Sequence, residues 1–294
     1  MDQLNSVLVG IDFAPSCSAA LTEAARLASA SNATLRAIHV IDTLVVVDLE
    51  EALSEYQRDI QENLLSDVKL AWEKFDPALA AKAGVPLKVV IGNPVQSILA
   101  AIAREKIDLL VLGVQGNATG AGIGELAAAC VRRSPTKVLL TRDNRAGPYR
   151  NIVVGVDFSA LSLKALEAAE WLAEGDQATL HVVHVYHPPW RRLRYFAPTH
   201  ETSPEFQQQY RDALLGRLEA LAEELKDHAA AKTQFHLVEH VSDGRGISEF
   251  AAKNKADLLV VGTHGRSNLS EVLLGSTAER VLKQAMCSIL TVRG

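Results

Sequence analysis

The 34 residues from Val7 to Val40, "VLVGIDFAPSCSAALTEAARLASASNATLRAIHV", are written a second time from Ile152 to Val185, "IVVGVDFSALSLKALEAAEWLAEGDQATLHVVHV". The two stretches align without a gap at an offset of 145, and fourteen pairs are identical, among them Gly10/Gly155, Asp12/Asp157, Phe13/Phe158 and His39/His184. Further on, "DLLVLG" (Asp108 to Gly113) matches "DLLVVG" (Asp257 to Gly262), and the halves close on "KVLLTR" and "SILTVR". A period this long is not that of a solenoid; each copy has the size of an ordinary domain and must bury its own core. An apolar content of 48% over 294 residues is enough for two such cores. The Asp, Asn, Gly and Pro of "RDNRAGPY", Arg142 to Tyr149, mark a linker. We therefore expect a first domain over 1–143, a linker over 144–150 and a second domain over 151–294.

Each half alternates strand and helix patterns. In the second, "NIVVGVDF" is a short β-branched run suited to a buried parallel strand. "SLKALEAAEWLAE" carries apolar residues three and four apart, an amphipathic helix that Gly175 is expected to end. "ATLHVVHVYH", a long helix over "PEFQQQYRDALLGRLEALAEELKDHA", "QFHLVEHV", a helix over "GISEFAAKNKA", "DLLVVG", a helix over "TAERVLKQA" and "SILTVR" follow. In the first half, "LVVVDLEEALSEYQRDI" reads as a connection entering a helix, its charges a solvated face. The fold class expected is α/β: two tandem doubly wound domains, each a five-stranded parallel sheet flanked by helices.

Ligands of such sheets sit beyond the carboxyl ends of the strands, where the strand order switches. "VVGTHGRSNLSEVLLGST", Val260 to Thr277, falls there. Gly262 ends the fourth strand, Gly265 follows, and after nine residues Gly275 and Ser276 open the last helix. Glycines let backbone N–H groups approach an anion, and a helix N-terminus favours negative charge. Asp157 ends the first strand and the backbone of Val185 the second, so both face the same crevice. The arrangement suits a nucleotide, with its nucleoside near the first two strands and its phosphates at the glycines. The plainer readings are a turn with a serine helix cap, and an aspartate that caps the helix after "DFS".

These residues resemble the universal stress protein family, whose ATP-binding signature G-x2-G-x9-G-[ST] is matched by Gly262, Gly265, Gly275 and Ser276. The resemblance spans both halves, as in tandem members. It implies the adenine nucleotide α hydrolase-like variant of the fold, with Asp157 on the nucleoside and the Val185 backbone on the adenine. It also implies Val261 lining the pocket, and Gly262, Gly265, Gly275, Ser276 and Thr277 around ribose and phosphates. His264 contacts phosphate or structures the loop. The function implied is an ATP-binding, nucleotide-dependent stress-response regulator, with ATP held by the second domain together with Mg2+. Two alternatives stand beside it: a slow ATP hydrolase with at most weak ATPase activity, and an interaction scaffold that binds no nucleotide.

The first half departs from the signature. Gly113 and Gly116 match, but aligning the closing helices sets Gly124 opposite Gly275 and Glu125 opposite Ser276, with seven residues between Gly116 and Gly124 instead of nine. A carboxylate stands where phosphate would rest. At about 4 Å and an effective dielectric near 20, like charges repel by roughly 4 kcal/mol, on the order of a thousandfold in affinity. We expect this half to bind ATP weakly or not at all.

No serine nucleophile elbow, HExxH, paired CxxC or Walker A lysine occurs, so no catalytic residue is assigned. On a strand, His181 and His187 share one face and His184 takes the other, so they do not converge on a metal; a structural role is expected for His184, as for its counterpart His39. "PPWRRLRYFAP", Pro188 to Pro198, is the one basic, aromatic stretch, and reads as a partner-docking segment, a lid or a locally packed loop. Thirty basic against 35 acidic residues argue against nucleic acid as partner. Three scattered cysteines, no membrane span and no secretory start lead us to expect a cytoplasmic protein. The apolar last strands invite pairing, between the halves as an intrachain pseudo-dimer or between chains as a homodimer, as the family often does. The remaining partner expected is a protein that the sequence does not identify.

Overall fold

The computed structural model of the chain describes residues 4–54, 59–75, 84–114, 123–142, 147–191, 203–224, 232–265 and 274–293. It divides into two compact units, Asp2–Gly147 and Pro148–Gly294.

The first unit runs β1 (Ser6–Gly10), α1 (Ser16–Ser31), β2 (Thr34–Asp42), α2 (Thr43–Ala52), α3 (Ile60–Lys74), β3 (Leu87–Gly92), α4 (Pro94–Glu105), β4 (Leu109–Val114), α5 (Glu125–Arg133) and β5 (Lys137–Arg142). Its strands are parallel in the order β3-β2-β1-β4-β5. The second runs β6 (Asn151–Gly155), α6 (Ala160–Asp176), β7 (Thr179–Tyr186), a 3-10 turn (Pro189–Arg191), α7 (Pro204–Glu224), β8 (Thr233–Glu239), α8 (Asp243–Lys253), β9 (Leu258–Gly262), α9 (Ser276–Gln284) and β10 (Ser288–Val292). Its order is β8-β7-β6-β9-β10, again parallel. In each unit the chain moves outward over three strands and returns to the other side of the first, so the order switches between β1 and β4 and between β6 and β9. The central strands are buried on both faces, which is why Val7–Val9, Leu109–Leu112, Ile152–Val154 and Leu258–Val261 are continuous apolar runs.

The duplicated residues do duplicated work. Asp108 Oδ2 accepts from the backbone N–H groups of Asn5 and Ser6 at 2.8 and 3.1 Å, and Asp257 Oδ2 from those of Arg150 and Asn151 at 2.7 and 2.9 Å. Each aspartate ties the start of the fourth strand to the start of the first. His39 Nδ1 lies 2.7 Å from the Ile11 carbonyl, and His184 Nδ1 lies 2.8 Å from that of Val156. Each imidazole also packs against the phenylalanine after the repeated aspartate, Phe13 or Phe158. His181 instead meets His236 of the neighbouring strand at 3.0 Å, and burial lowers the pKa of both. Among the described residues no three His, Cys, Asp or Glu side chains gather to hold a metal.

Two local expectations need correction. Helix α6 passes through Gly175 and ends where Gln177 adopts the left-handed conformation at φ 53°, as Asn32 does at φ 54° after α1. A single residue at a helix end can take that region, as Lys106 and Lys255 also do at φ 50°, so glycine was not required there. The stretch opening "LVVVDLEEA" is itself a helix, α2, because Asp42 caps it by accepting from the Leu44 N–H at 3.0 Å.

Glu170 of α6 is 5% exposed, and its Oε1 has no hydrogen-bond partner among the described residues. Burial, reinforced by Glu167 and Glu174, pushes its carboxyl up to about 7. In the unfolded chain it ionises near 4.5, so the folded state holds the extra proton between these values and loses stability as pH rises through them. We expect Glu170→Gln to be more stable than the natural chain by about 2 kcal/mol at pH 8, the gap closing towards pH 4.5. Urea unfolding at both ends of the range checks this; an equal gap at both would assign the effect to something other than titration.

Candidate functional site

The crevice of the second unit forms where β6 stops. Beyond Gly155 the chain turns at Phe158, φ 63°, into α6. Asp157 Oδ1 holds that turn, accepting from the N–H and the hydroxyl of Ser159 at 3.0 and 2.5 Å, while the Asp157 N–H donates to Ser162 Oγ at 3.3 Å. The aspartate is thus a helix-start group, and it also faces the glycines: a Cβ on Gly265 would stand 2.8 Å from Oδ2.

Val185 enters through its backbone. Val183 accepts from Val156 on the β6 side, and Tyr186 accepts from His240 on the β8 side. By alternation the N–H and C=O of Val185 point to the β6 side, past the end of β6, into the crevice. Gly262 closes β9. The Thr263 N–H donates to Val292, and the Gly275 N–H donates to the Thr263 carbonyl at 2.7 Å, which brings the far end of the glycine segment back to its start. Residues 266–273 lie outside those described. Gly275, with φ −63° and ψ 148°, caps α9 without a side chain, so the first-turn N–H groups at Ser276 and Thr277 face outward. His264 Nδ1 meets Thr263 Oγ1 at 3.0 Å, and its buried Nε2 has no hydrogen-bond partner among the described residues.

The structure brings Asp157, Val185, Val261, Gly262, His264, Gly265, Gly275, Ser276 and Thr277 together around one crevice of about 560 Å3. The orphaned imidazole nitrogen, the unclaimed helix N–H groups and the close glycine backbone fit a phosphorylated ligand, and the Val185 edge fits a heterocycle bearing an acceptor beside a donor.

Several lining residues escaped the sequence reading. Tyr210, Leu214 and Arg217 lie at i, i+4 and i+7 on α7 and form a further wall. The Arg217 guanidinium carbon stands 4.0 Å above the centre of the Phe158 ring. His187, at the end of β7, pairs with Asp243 of α8 at 2.8 Å. The helical spacing was visible in "YRDALLGR", but nothing in it showed that this stripe borders a crevice instead of a core. Of the basic aromatic stretch, Pro189 lines the crevice and Trp190 packs edge-on against Tyr210 at 5.5 Å; residues 192–198 lie outside those described.

The first unit has a smaller crevice, about 390 Å3, bounded by Gly10, Asp12, His39, Val40, Gly113 and Gly124. Gly124, at φ −56° and ψ 157°, caps α5 as Gly275 caps α9, which places Glu125 where Ser276 stands. The Glu125 side chain is exposed, and Ile123 and Leu126 line the wall there. Asp12 Oδ1 accepts from the Ala14 N–H at 2.9 Å and from Cys17 Sγ at 2.8 Å. Burial and that hydrogen bond push the Cys17 thiol up to about 12, which keeps it protonated and a hydrogen-bond donor to Asp12.

A doubly wound α/β protein built twice, with a crevice at each switch in strand order, is the class these observations define. The sequence model of the Universal stress protein family matches residues 4–142 and 148–293, and the chain belongs to that family. A universal stress protein of Mycobacterium tuberculosis is 26% identical over 301 aligned positions, covering 98% of this chain and 97% of its own. One of Methanocaldococcus jannaschii is 34% identical over 146 residues, 49% of this chain and 82% of its own. Among solved structures, a universal stress protein from Archaeoglobus fulgidus aligns over 99% of both chains with a TM-score of 0.68 at 18% identity. Among the described residues no helix is long and apolar enough to cross a membrane.

Proposed function

We propose that the second unit binds ATP with Mg2+ and that the bound state changes how the protein contacts a partner, making it a nucleotide-dependent regulator of a stress response. The observation that supports this most is the convergence of the Val185 backbone edge, the Asp157 carboxylate and the α9 N-terminus on one crevice. The Val185 N–H and C=O complement the adenine edge, Asp157 the ribose hydroxyls, and the N–H groups at Ser276 and Thr277 the phosphates. Regulation follows if the nucleotide binds one arrangement of α9 and α7 better than another.

Calorimetric titration of nucleotide-stripped protein with Mg·ATP tests the reading through its stoichiometry. We expect one site per chain. Two sites would mean that the first unit accepts phosphate despite Glu125. Absence of heat together with an unchanged melting temperature would favour the interaction scaffold.

A further inference from the structure

We propose that the crevice of the first unit is a second ligand site, one that takes an uncharged nucleoside and turns away its phosphorylated form. The proposal rests on the nucleotide reading above, because the ligand class is taken from the part of the crevice that the two units share. That part is the end where base and ribose would lie. The Ile11 N–H donates to the Ile38 carbonyl at 2.9 Å, as the Val156 N–H does to that of Val183. By alternation the N–H and C=O of Val40 point to the β1 side beyond the end of β1, as those of Val185 do beyond β6. A flat heterocycle with an acceptor beside a donor complements that edge in either unit. Asp12 stands where Asp157 does, and its Oδ1 holds the start of α1 through the Ala14 N–H and the Cys17 thiol, at 2.9 and 2.8 Å. That leaves Oδ2, which no described residue engages, to accept from a hydroxyl of the ligand.

The other part of the crevice differs between the units. The second unit opens its closing helix with the hydroxyls of Ser276 and Thr277; the first sets Glu125 and Leu126 there, behind a glycine cap of the same geometry. Ile123 and Leu126 line the crevice, so the ground that phosphates would occupy is apolar. Pro94 at the start of α4 lines it where Asp243 at the start of α8 lines the other. Ile38, Ile98, Leu112 and Val114, also in the lining, are buried. Asp12 is the single Asp, Glu, Lys or Arg in the described lining. Residues 115–122 lie outside those described, and their sequence, "QGNATGAG", contains no charged side chain. Phosphate oxygens brought against apolar walls give up water and gain no cation from this lining, while Asp12 and Glu125 add like charge. A nucleoside keeps the contacts of base and ribose and meets neither cost. The volume, about 390 Å3 against about 560 Å3, is in keeping with a ligand shortened by its phosphates.

Titration of the full chain with adenosine, while Mg·ATP is held at saturation to occupy the second crevice, tests the proposal. We expect one adenosine to be taken up per chain, at least about tenfold more tightly than the first crevice takes ATP. Amide exchange should slow at Val40 and from Ile11 to Phe13, a footprint read on the natural chain. Asp12→Asn should weaken this adenosine about tenfold and leave the single ATP site unchanged. A chain that binds one ATP and then takes up no adenosine would overturn the proposal and leave the nucleotide reading standing. Two ATP per chain would also overturn it, since phosphate would then be accepted. So would an adenosine whose footprint falls on Val156, Asp157 and Val185, or one that Asp12→Asn does not weaken. A chain that binds neither ligand would overturn the nucleotide reading itself.

Discussion

Replacing Ser276 by Glu should weaken ATP about a hundredfold while leaving the fold as stable as before. The substitution copies the first unit, where Glu125 holds the same first position of the closing helix behind a glycine cap of the same geometry. A carboxylate there interacts favourably with the helix N-terminus, a few tenths of a kcal/mol, so unfolding should be unaffected or slightly harder. The same carboxylate adds negative charge beside the N–H groups that phosphate would use and repels it. Direct repulsion at about 4 Å amounts to roughly 4 kcal/mol at an effective dielectric near 20. Glu125 is exposed and turned out of the lining, so water and salt screen part of that, and about two powers of ten is the consistent figure. Calorimetry paired with thermal unfolding checks both halves of the expectation. Unchanged ATP affinity would move the cause of the first unit's difference to its shortened loop.

The second large effect concerns stability. Gly113 and Gly262 occupy equivalent positions in the repeat, yet different neighbours require them. A Cβ on Gly113 would stand 2.6 Å from the Ser16 carbonyl oxygen and 2.7 Å from its carbon, backbone atoms at the start of α1. A Cβ on Gly262 would meet the Leu161 side chain at 3.0 Å and the His264 carbonyl oxygen at 3.3 Å, looser contacts that ask for smaller shifts. Gly113→Ala should therefore destabilise the first unit by about 3 kcal/mol or more, and Gly262→Ala by about 1 kcal/mol. Urea unfolding of the two variants distinguishes them; equal losses would mean that both sites relax alike. The comparison also corrects the impression that a signature glycine is present for its ligand. Gly113 is kept out of Cβ range by the seating of α1 on β4.

The duplication, the α/β order of each half and the candidate site were legible in the sequence because each depends on residues close together in the chain. A period-two or period-3.6 pattern states which face is buried. Glycine spacing states where backbone must come close. Gly262, Gly265, Gly275 and Ser276 lie within one short segment, so a linear signature could capture them. Asp157 and Val185 were reachable because a parallel sheet places the ends of its strands side by side. The miss at Gly175 has the opposite character: helix ends depend on which residue meets the left-handed turn, and Gln177, two positions on, took it.

What only the tertiary structure decided is which surfaces face which. Tyr210, Leu214 and Arg217 have the spacing of a core stripe, as Leu64 and Val68 do in the other half. Packing alone made one stripe a core and the other a crevice wall. The meeting of Arg217, Asp157 and Asp243, from three separate parts of the chain, in the described lining of one crevice is likewise a property of the folded chain. The sequence by itself determined two doubly wound domains and a glycine segment at the switch in strand order, since local periodicity and backbone sterics suffice for both. The wall that α7 lends the crevice was decided by contacts between residues some sixty positions apart, Phe158 and Arg217, which no local pattern encodes.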